Sequence, residues 1–287
     1  MHMDATATSR LTRRLLAPNP GPMTLDGTNS YLIRAADAAA SVVVDPGPLD
    51  EAHLAALAGA GPVELILVTH KHIDHTEGSA RLAALTGAPV RAYDPDYCIG
   101  GDPLRDGERL EAAGTEIVVL HTPGHTADSL CFLLPDDAGL ETGATASAGS
   151  VLTGDTILGR GTTVIAHPVG SAGGRPDGTL GEYLESLERL AALGPALVLP
   201  AHGPTLPSVA EISARYLAHR RQRLAEVRAA LATLGVATAS VLSSGPESEA
   251  LAAQVTALVY PDVDPAVVPA ATASVRAQLD YLAGAAE

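Results

Sequence analysis

The sequence has few of the features that mark secreted or membrane proteins. It contains only two cysteines, Cys98 and Cys131, which are too few for a disulfide framework and typical of a reducing compartment. No segment approaches the ~18 consecutive apolar residues that a membrane-spanning helix needs. The apolar stretch 15–17 is too short for the core of a signal peptide. We therefore expect a cytoplasmic protein that does not associate with membranes.

Positive charge is also scarce. The chain has 18 Lys and Arg against 33 Asp and Glu, a net charge of −15, which disfavours broad nonspecific binding to nucleic-acid backbones. Segment 215–228 is the exception, because it holds a single glutamate and five arginines, Arg215, Arg220, Arg221, Arg223 and Arg228. The simpler interpretation is a solvated helix face with some ion pairs. The alternative is a strip that contacts the phosphates of an RNA substrate.

Length and composition are those of a folded protein with a large core. At 287 residues and 46% apolar content, the chain forms one large domain or a domain with an appendage. Residues 1–10 read as a mobile tail. Short strands are predicted at 31–34, 42–45, 63–69, 90–93, 116–120, 130–134, 151–152 and 197–199, and helices at 51–58, 79–86, 180–193 and 209–234. This order suits a sheet-against-sheet core with helices outside.

One short motif carries most of the functional information. The run Thr69-His70-Lys71-His72-Ile73-Asp74-His75 follows the predicted strand 63–69 directly. Imidazole and carboxylate groups bind divalent cations such as zinc. A loop at a strand end can direct several side chains at one point. Without a bound ion, so many polar groups directly after a buried strand would repel and desolvate one another. The motif therefore predicts a metal site.

Further residues of ligand type follow three later strands. His125 lies in Thr122-Pro123-Gly124-His125, Asp155 in Thr153-Gly154-Asp155, and His202 in Pro200-Ala201-His202-Gly203. Each is bracketed by Gly or Pro, which mark loops. Loops at several strand ends suggest one shared rim. The sequence contains no convincing G-x-S-x-G nucleophile elbow or Cys–His pair, so no side-chain nucleophile is expected.

The remaining histidines are predicted to have structural roles. We expect His121 to hydrogen-bond locally, and His53 and His219 to lie on helix surfaces. The exception is His167, in the loop after Asp155, for which donation of a proton to a leaving group, contact with substrate and neither role are the alternatives.

In this order, the motifs resemble the metallo-β-lactamase superfamily pattern of HxHxDH followed by His, Asp and His. The resemblance covers roughly residues 20–205 and implies an α/β (α+β) fold, an αββα sandwich. It also implies two divalent metal ions, zinc in the first instance with manganese or iron as alternatives. Position by position, it assigns His70, His72 and His125 to the first ion, Asp74, His75 and His202 to the second, and Asp155 to both. Asp155 stands where a true β-lactamase of this superfamily usually has Cys, which favours the two-metal hydrolase branches.

Three further segments are similar to a narrower, lactamase-β-like group that includes an endoribonuclease. They are Asn19–Leu32, Gly159–Val164 and Tyr216–Arg220. The C-terminal segment resembles that group's small helical, winged-helix-like cap. We therefore expect a catalytic domain at 11–234 and a small C-terminal helical segment at 247–287.

The predicted function is a dinuclear metallo-hydrolase. The resemblance implies a metal-bound hydroxide that attacks a phosphodiester, as in RNA, or an ester bond, with Asp74 and Asp155 as the catalytic carboxylates. One alternative is a thioesterase or glyoxalase II-like enzyme, and another is a di-iron redox or binding scaffold. The expected substrate is RNA or a small molecule. An apolar stripe of Leu251, Val255 and Leu258 is predicted to pack on the main domain or in a homodimer.

Overall fold

The computed structural model describes residues 5–140, 149–165, 177–241 and 245–284. Its strands are β1 (Thr6–Ala7), β2 (Thr12–Leu16), β3 (Asn29–Ile33), β4 (Ser41–Val44), β5 (Val63–Leu67), β6 (Val90–Arg91), β7 (Arg109–Ala112), β8 (Thr115–His121), β9 (Leu130–Leu134), β10 (Ser150–Gly154) and β11 (Leu197–Pro200). Its α-helices are α1 (Glu51–Gly59), α2 (Ile73–Thr76), α3 (Ser79–Thr86), α4 (Leu180–Ala191), α5 (Val209–Thr233), α6 (Pro246–Val259) and α7 (Val268–Gly284). The predicted mixed α/β class, with two sheets and C-terminal helices, is confirmed.

The strands form two sheets. In each sheet, a pair of parallel strands brings the loops that carry the predicted metal ligands to one edge. One sheet has six strands in the order β1-β2-β3-β4-β5-β6, and the other has five in the order β11-β10-β9-β8-β7. β4 runs parallel to β5, and β10 runs parallel to β11. The carboxyl ends of each parallel pair therefore lie at one edge, and these ends lead into Asp45, the HxHxDH motif, Asp155 and His202.

Alternation along the strands divides the core in two. Even-numbered Val42 and Val44 of β4 face the second sheet, where they pack with Phe132 of β9 and Leu152 of β10. Odd-numbered Val43 faces the other way and packs with residues of α1 and α3. All of these side chains are almost completely buried, so both faces of the central strands are fixed by packing.

Helix α1 begins where the sequence indicates, but one of its residues is not where we expected it. Asp50 caps the helix by accepting a 2.8 Å hydrogen bond from the backbone N–H of His53. The prediction that His53 lies on the helix surface is wrong, because its side chain is fully buried. Its Nε2 lies 2.8 Å from Ser30 Oγ. The ring of His53 thus joins α1 to β3 beneath the loop that follows β4.

Most element boundaries agree with the sequence to within two residues, and the differences are a few short or half-exposed strands. The predicted mobile tail is wrong in part, since Thr6–Ala7 pairs with β2. β2 itself and β7 were also missed. Two-residue strands and half-exposed strands have too little hydrophobic periodicity to be detected without their partners.

The chain divides into two compact units. The first comprises 1–122, 128–162 and 189–212 and includes both sheets; the second comprises 123–127, 163–188 and 213–287 and is helical where described. The predicted domain boundaries, 11–234 and 247–287, stay a prediction. In α6, Val255 is buried while Leu258 is 48% exposed, and the homodimer also stays a prediction. Among the described residues, no helix combines the length and the apolar character that crossing a bilayer requires.

Candidate metal centre

The HxHxDH motif begins just beyond the end of β5 and extends into a short helix. His72 precedes α2 with an extended backbone (φ −58°, ψ 145°), and Asp74 and His75 lie inside the helix. A close approach from β10 supports the loop from behind. A Cβ on Gly154, whose φ is +50°, would lie 2.8 Å from the Thr69 side chain. Glycine at this position is what allows β10 to deliver Asp155 beside the motif.

Three residues that were predicted to bind the first ion lie close together within the first unit. The ligating atoms of His70, His72 and Asp155 lie within 4.8 Å of one another. His70 Nε2 and His72 Nδ1 are 2.9 Å apart. A cation bound to both nitrogens would replace the hydrogen bond between them.

A second group forms from the residues predicted for the second ion. The ligating atoms of Asp74, His75 and His202 also lie within 4.8 Å of one another. Asp74 Oδ2 is 3.3 Å from His75 Nε2 and 3.2 Å from His202 Nε2. His75 and His202 are almost completely buried, and the Asp74 side chain is 23% exposed.

Asp155 faces both groups. Its Oδ1 lies 3.3 Å from His202 Nε2 and 3.7 Å from His75 Nε2, while the carboxylate also belongs to the group of His70 and His72. This placement is what a carboxylate shared between two ions requires.

Asp45 was missed by the sequence analysis, although it holds the motif in place. Its carboxylate accepts 2.8 Å hydrogen bonds from both Thr69 N and Thr69 Oγ1, and its Oδ2 lies 2.9 Å from His75 Nδ1. Asp45 adopts a left-handed backbone (φ 53°) and is 2% exposed. The available signal was an acidic residue that ends the buried strand Val42-Val43-Val44 before Pro46.

The surrounding acceptors fix which nitrogen each ring presents. A carboxylate or a carbonyl oxygen can only accept, so a ring nitrogen beside one carries the proton. His75 Nδ1 therefore donates to Asp45, and His202 Nδ1 donates to Gly27 O over 3.2 Å. In both rings Nε2 is left as the basic nitrogen that faces the acidic groups, as metal-binding histidines require.

The same logic applies to two other histidines. Thr69 Oγ1 donates to Asp45, so it accepts from His70 Nδ1, 3.1 Å away, and the Nε2 of His70 is left basic. His125 belongs to the second unit, where its Nδ1 lies 2.9 Å from Val164 O. Its Nε2 is therefore also the basic nitrogen.

Residues of the segment Asn19–Leu32 hold the second ligand group from the side of β3. Asn29 Nδ2 donates to Pro200 O and Gly203 O, over 2.8 and 2.9 Å, on either side of His202. Tyr31 donates its hydroxyl to Pro200 O, and Thr28 Oγ1 donates to Asp74 Oδ2 over 3.4 Å. Part of this segment therefore positions His202 and Asp74.

The carboxylates and imidazole rings of the site shift one another's pKa values. Burial favours the neutral forms of Asp74, His75 and His202, but their mutual interactions outweigh it. Hydrogen bonds and charge from His202 and His75 place the pKa of Asp74 well below its ordinary value. Asp45 and Asp155 raise the pKa of His75 well above its ordinary value, and Asp74 and Asp155 raise that of His202. The charges that favour a proton on these rings would equally favour a metal cation beside them.

Distances between ligand atoms fit a shared metal ion. Two atoms bound to one ion at about 2.0–2.2 Å in a tetrahedral arrangement stand about 3.3 Å apart. The separations among Asp74 Oδ2, His75 Nε2, Asp155 Oδ1 and His202 Nε2 run from 3.2 to 3.7 Å. His75 Nε2 is buried without a hydrogen bond of good geometry among the described residues. The His/Asp cluster is therefore suited to a metal ion, as predicted.

Residues outside the cluster have other roles. His121 stacks on Tyr93 with ring centroids 4.0 Å apart. Within the strip at 215–228, Arg220 is buried, Arg221 lies 3.7 Å from Glu188 and Arg223 lies 2.6 Å from Glu226, so ion pairs and packing occupy much of it. His167 lies outside the described residues.

Most of the chain is similar to known proteins. Residues 23–202 match the family model described as the metallo-beta-lactamase superfamily. The chain is 34% identical over 229 residues to lactamase-like protein vrtG of Penicillium aethiopicum, covering 77% of this chain and 66% of that protein. It is 32% identical over 226 residues to lactamase-like protein adaB of Aspergillus niger, covering 76% of this chain and 63% of that protein. The chain thus spans slightly less than two thirds of the length of these relatives.

A solved structure shows the same fold. A beta-lactamase domain protein from Burkholderia ambifaria superposes with a TM-score of 0.74 over 100% of this chain and 89% of that chain, at 22% identity.

Proposed function

This chain belongs to the metallo-beta-lactamase superfamily, and from that premise we propose that it is a dinuclear metal-dependent hydrolase that cleaves a phosphodiester or ester bond. Members of the superfamily are typically hydrolases. The single observation that carries the proposal is the placement of Asp155, whose carboxylate faces two separate groups of ligand atoms. A protein that held one structural ion would not need a carboxylate shared in this way.

The proposed ligands follow the superfamily pattern. His70, His72 and His125 would hold one ion, Asp74, His75 and His202 the other, and Asp155 both. Zinc suits imidazole-rich sites best, with manganese and iron as alternatives. Two divalent ions held by these residues would lower the pKa of a bound water and would polarise the oxygen of a carbonyl or phosphoryl group.

The protein's own residues would set the geometry of the reaction. Asp155 sets the separation of the two ligand groups. Asp74 stays ionised, because the interactions that hold its pKa low keep a negative charge there. Its side chain is partly accessible, so it can orient an incoming water by accepting a hydrogen bond. Asp45 and Thr69 lie behind the motif and would restrict rotation of the rings of His75 and His70.

For the substrate, we propose a phosphodiester of the kind found in RNA, on the resemblance to the endoribonuclease-containing group. The resemblance rests on segments Asn19–Leu32, Gly159–Val164 and Tyr216–Arg220. The arginine strip adds little support, because several of its side chains are already engaged. The net charge of −15 favours a short or single-stranded substrate over a long duplex.

The site assignment is tested by His72→Ala. His72 is partly exposed at the start of α2, so its loss should leave the fold intact while metal content and hydrolysis fall to background. Metal analysis and circular dichroism on the same sample measure both. His121→Ala is the matched control, because this histidine stacks on Tyr93, and it should keep metal and activity. Full metal content in His72→Ala would contradict the assignment.

The substrate class is tested separately on the metal-loaded protein. Labelled single-stranded RNA, an aryl phosphodiester, an aryl ester and an acyl thioester are incubated in parallel, each with the His72→Ala protein as blank. We expect turnover of the phosphodiesters or the ester that the blank lacks. If only the thioester is hydrolysed and the RNA and esters stay intact, the result would instead support a thioesterase or glyoxalase II-like enzyme. An iron absorption band without hydrolysis of any substrate would support a redox scaffold.

A further inference from the structure

A groove far from the metal centre is lined by arginines and apolar side chains. It has a volume of about 650 Å³ and lies between β2 and α1, on the helix-covered face of the six-stranded sheet. Leu15 and Leu32, both almost completely buried, form part of its floor. Ala55 and Ala56 of α1 line one wall, and their small side chains leave the space open. We name this feature the arginine groove.

The arginine groove lies at the opposite end of the strands from the metal ligands. Asn29, at the start of β3, contacts the His202 loop, whereas the groove is lined by Arg34, just beyond the end of β3. At about 3.3 Å per strand residue, the five steps between them span about 16 Å. The groove is therefore separate from the metal centre and does not depend on the proposed function.

Three positive charges surround the arginine groove. Arg10, Arg13 and Arg34 all line it and are exposed. Arg13 donates a 2.8 Å hydrogen bond to the uncharged Ala5 O. In the described part of the chain, no Asp or Glu lines the groove, and none lies within ion-pair distance of these guanidinium groups. This concentration runs against the composition, in which acidic residues outnumber basic ones by 33 to 18.

Part of this charge has a structural explanation. A Cβ on Gly61 would lie 3.3 Å from Arg34 Nη1, so Arg34 extends over the residues that follow α1. The carbonyl groups at a helix C-terminus attract cations. Arg34 can interact with that end of the helix, but this role accounts for one charge only. Within the described ranges, no carboxylate lies at ion-pair distance from Arg10 or Arg13.

We propose that the arginine groove binds a small organic anion, with a carboxylate or phosphate head held by Arg10, Arg13 and Arg34 and an apolar body on Leu15 and Leu32. Guanidinium groups match the planar oxygens of both heads. A volume of about 650 Å³ is that of a small-molecule site. A bare inorganic anion would make no contact with the apolar floor, and a neutral apolar ligand would provide no negative charge for the arginines.

The binding test uses the full chain carrying His72→Ala, so that the titrated anions cannot bind to a metal ion at the metal centre. Decanoate, decyl phosphate, decanol and inorganic phosphate are titrated by calorimetry below their micellar concentrations. We expect both organic anions to bind with one site per chain, and decanol and inorganic phosphate to bind at least about tenfold more weakly. Binding of the anions should also weaken as salt is raised, because exposed charges are screened. Equal affinity for decanoate and decanol would overturn the proposal.

Variants then locate the site. Arg10→Gln, Arg13→Gln and Arg34→Gln combined should weaken decanoate binding at least about tenfold. The matched control combines Arg105→Gln, Arg215→Gln and Arg228→Gln, which are exposed elsewhere and change the net charge equally; it should bind as the parent does. Ala55→Phe, at an exposed helix position, should fill the groove and abolish binding with an unchanged melting temperature. Equal losses in the two triple variants would show a nonspecific charge effect and overturn the proposal.

Discussion

At the scale of single residues, the metal centre depends on which nitrogen each histidine presents. Asp45, Thr69 and two backbone carbonyl groups accept or relay the Nδ1 protons of His70, His75, His125 and His202. These contacts leave Nε2 as the basic nitrogen in every one of those rings, and they restrict rotation of the rings. A histidine in the same loop without such an acceptor would populate both tautomers, and its affinity for an ion would fall.

Asp45 should therefore matter for metal affinity although it is not a predicted ligand. In Asp45→Asn, the amide cannot accept from Thr69 N, Thr69 Oγ1 and His75 Nδ1 at once, and the negative charge is lost. We expect about 10–100-fold weaker metal binding, measured by competition with a chelating dye. Asp50→Asn is the control, since asparagine caps a helix as well as aspartate does. Equal metal affinity in the two variants would exclude a role for Asp45.

Asp155→Asn tests the shared carboxylate. An amide presents one oxygen and an NH₂ group, so it cannot serve two ions as a carboxylate does. We expect the number of bound ions to fall from two per chain to one or none, measured by metal analysis after gel filtration. Two ions retained in the variant would refute the bridge while leaving the individual ligand groups intact.

His53 should make stability fall in mild acid. Burial lowers the pKa of His53 from 6.5 to about 4. Between these values the unfolded chain binds a proton that the folded chain does not, so stability is present above pH 6.5 and decreases as the pH falls towards 4. The loss is about 3 kcal/mol at most, measured by urea denaturation across this range. In His53→Gln this part of the pH dependence should disappear.

At the scale of elements, α5 carries a buried cation that the sequence suggested was solvated. Arg220 is 4% exposed. Its Nη2 donates to Thr163 O, and its guanidinium lies 5.2 Å from the centre of the Tyr183 ring. Thr163 precedes Val164, whose carbonyl accepts from His125. The arginine therefore braces the segment that orients His125, and the interpretation of Arg220 as part of a solvated face is wrong.

Replacing this arginine should loosen the segment. Arg220→Met keeps most of the buried volume but removes the hydrogen bond that Arg220 donates to Thr163 O, a loss of about 1–3 kcal/mol. We expect a lower free energy of unfolding in urea and weaker metal binding. Arg221→Gln, on the exposed side of the same helix, should change the unfolding free energy by no more than a few tenths of a kcal/mol. An Arg220→Met protein as stable as Arg221→Gln would contradict the bracing role.

At the scale of the whole molecule, the proposed ions would tie together loops that are distant in sequence. His75 follows β5 of one sheet, while Asp155 and His202 follow β10 and β11 of the other. Their ligand atoms lie within 3.7 Å of one another where measured. The carboxylates at this edge raise the pKa of His75, and the neighbouring rings lower the pKa of Asp74.

Removing metal should therefore lower thermal stability. A ligand that binds only the folded state stabilises it by about 4 kcal/mol when its free concentration is 1,000-fold above its dissociation constant. We expect chelation to lower the melting temperature by several degrees and added zinc to restore it. In His72→Ala the response to chelation should be smaller. An identical response in wild type and His72→Ala would place the stabilising ion elsewhere.

Much of this arrangement was predictable because short stretches of the sequence determine it. The run 69–75 and the Gly- or Pro-flanked His125, Asp155 and His202 follow apolar strands, and strands of buried β-branched residues are recognisable without their partners. Helix α1 was predictable from Asp50 at its N-cap. These features determined the fold class, the family pattern and the set of proposed ligands.

Tertiary structure alone decided the rest, because it depends on residues that meet only after folding. Asp45 and His75 are 30 positions apart in the chain and 2.9 Å apart in space, and no periodicity connects them. The burial of His53 and Arg220 likewise depends on the elements that cover them, and their residue types hardly predict it. Local sequence determines which side chains are available for chemistry, whereas long-range packing determines their protonation, their orientation and which of them remain exposed.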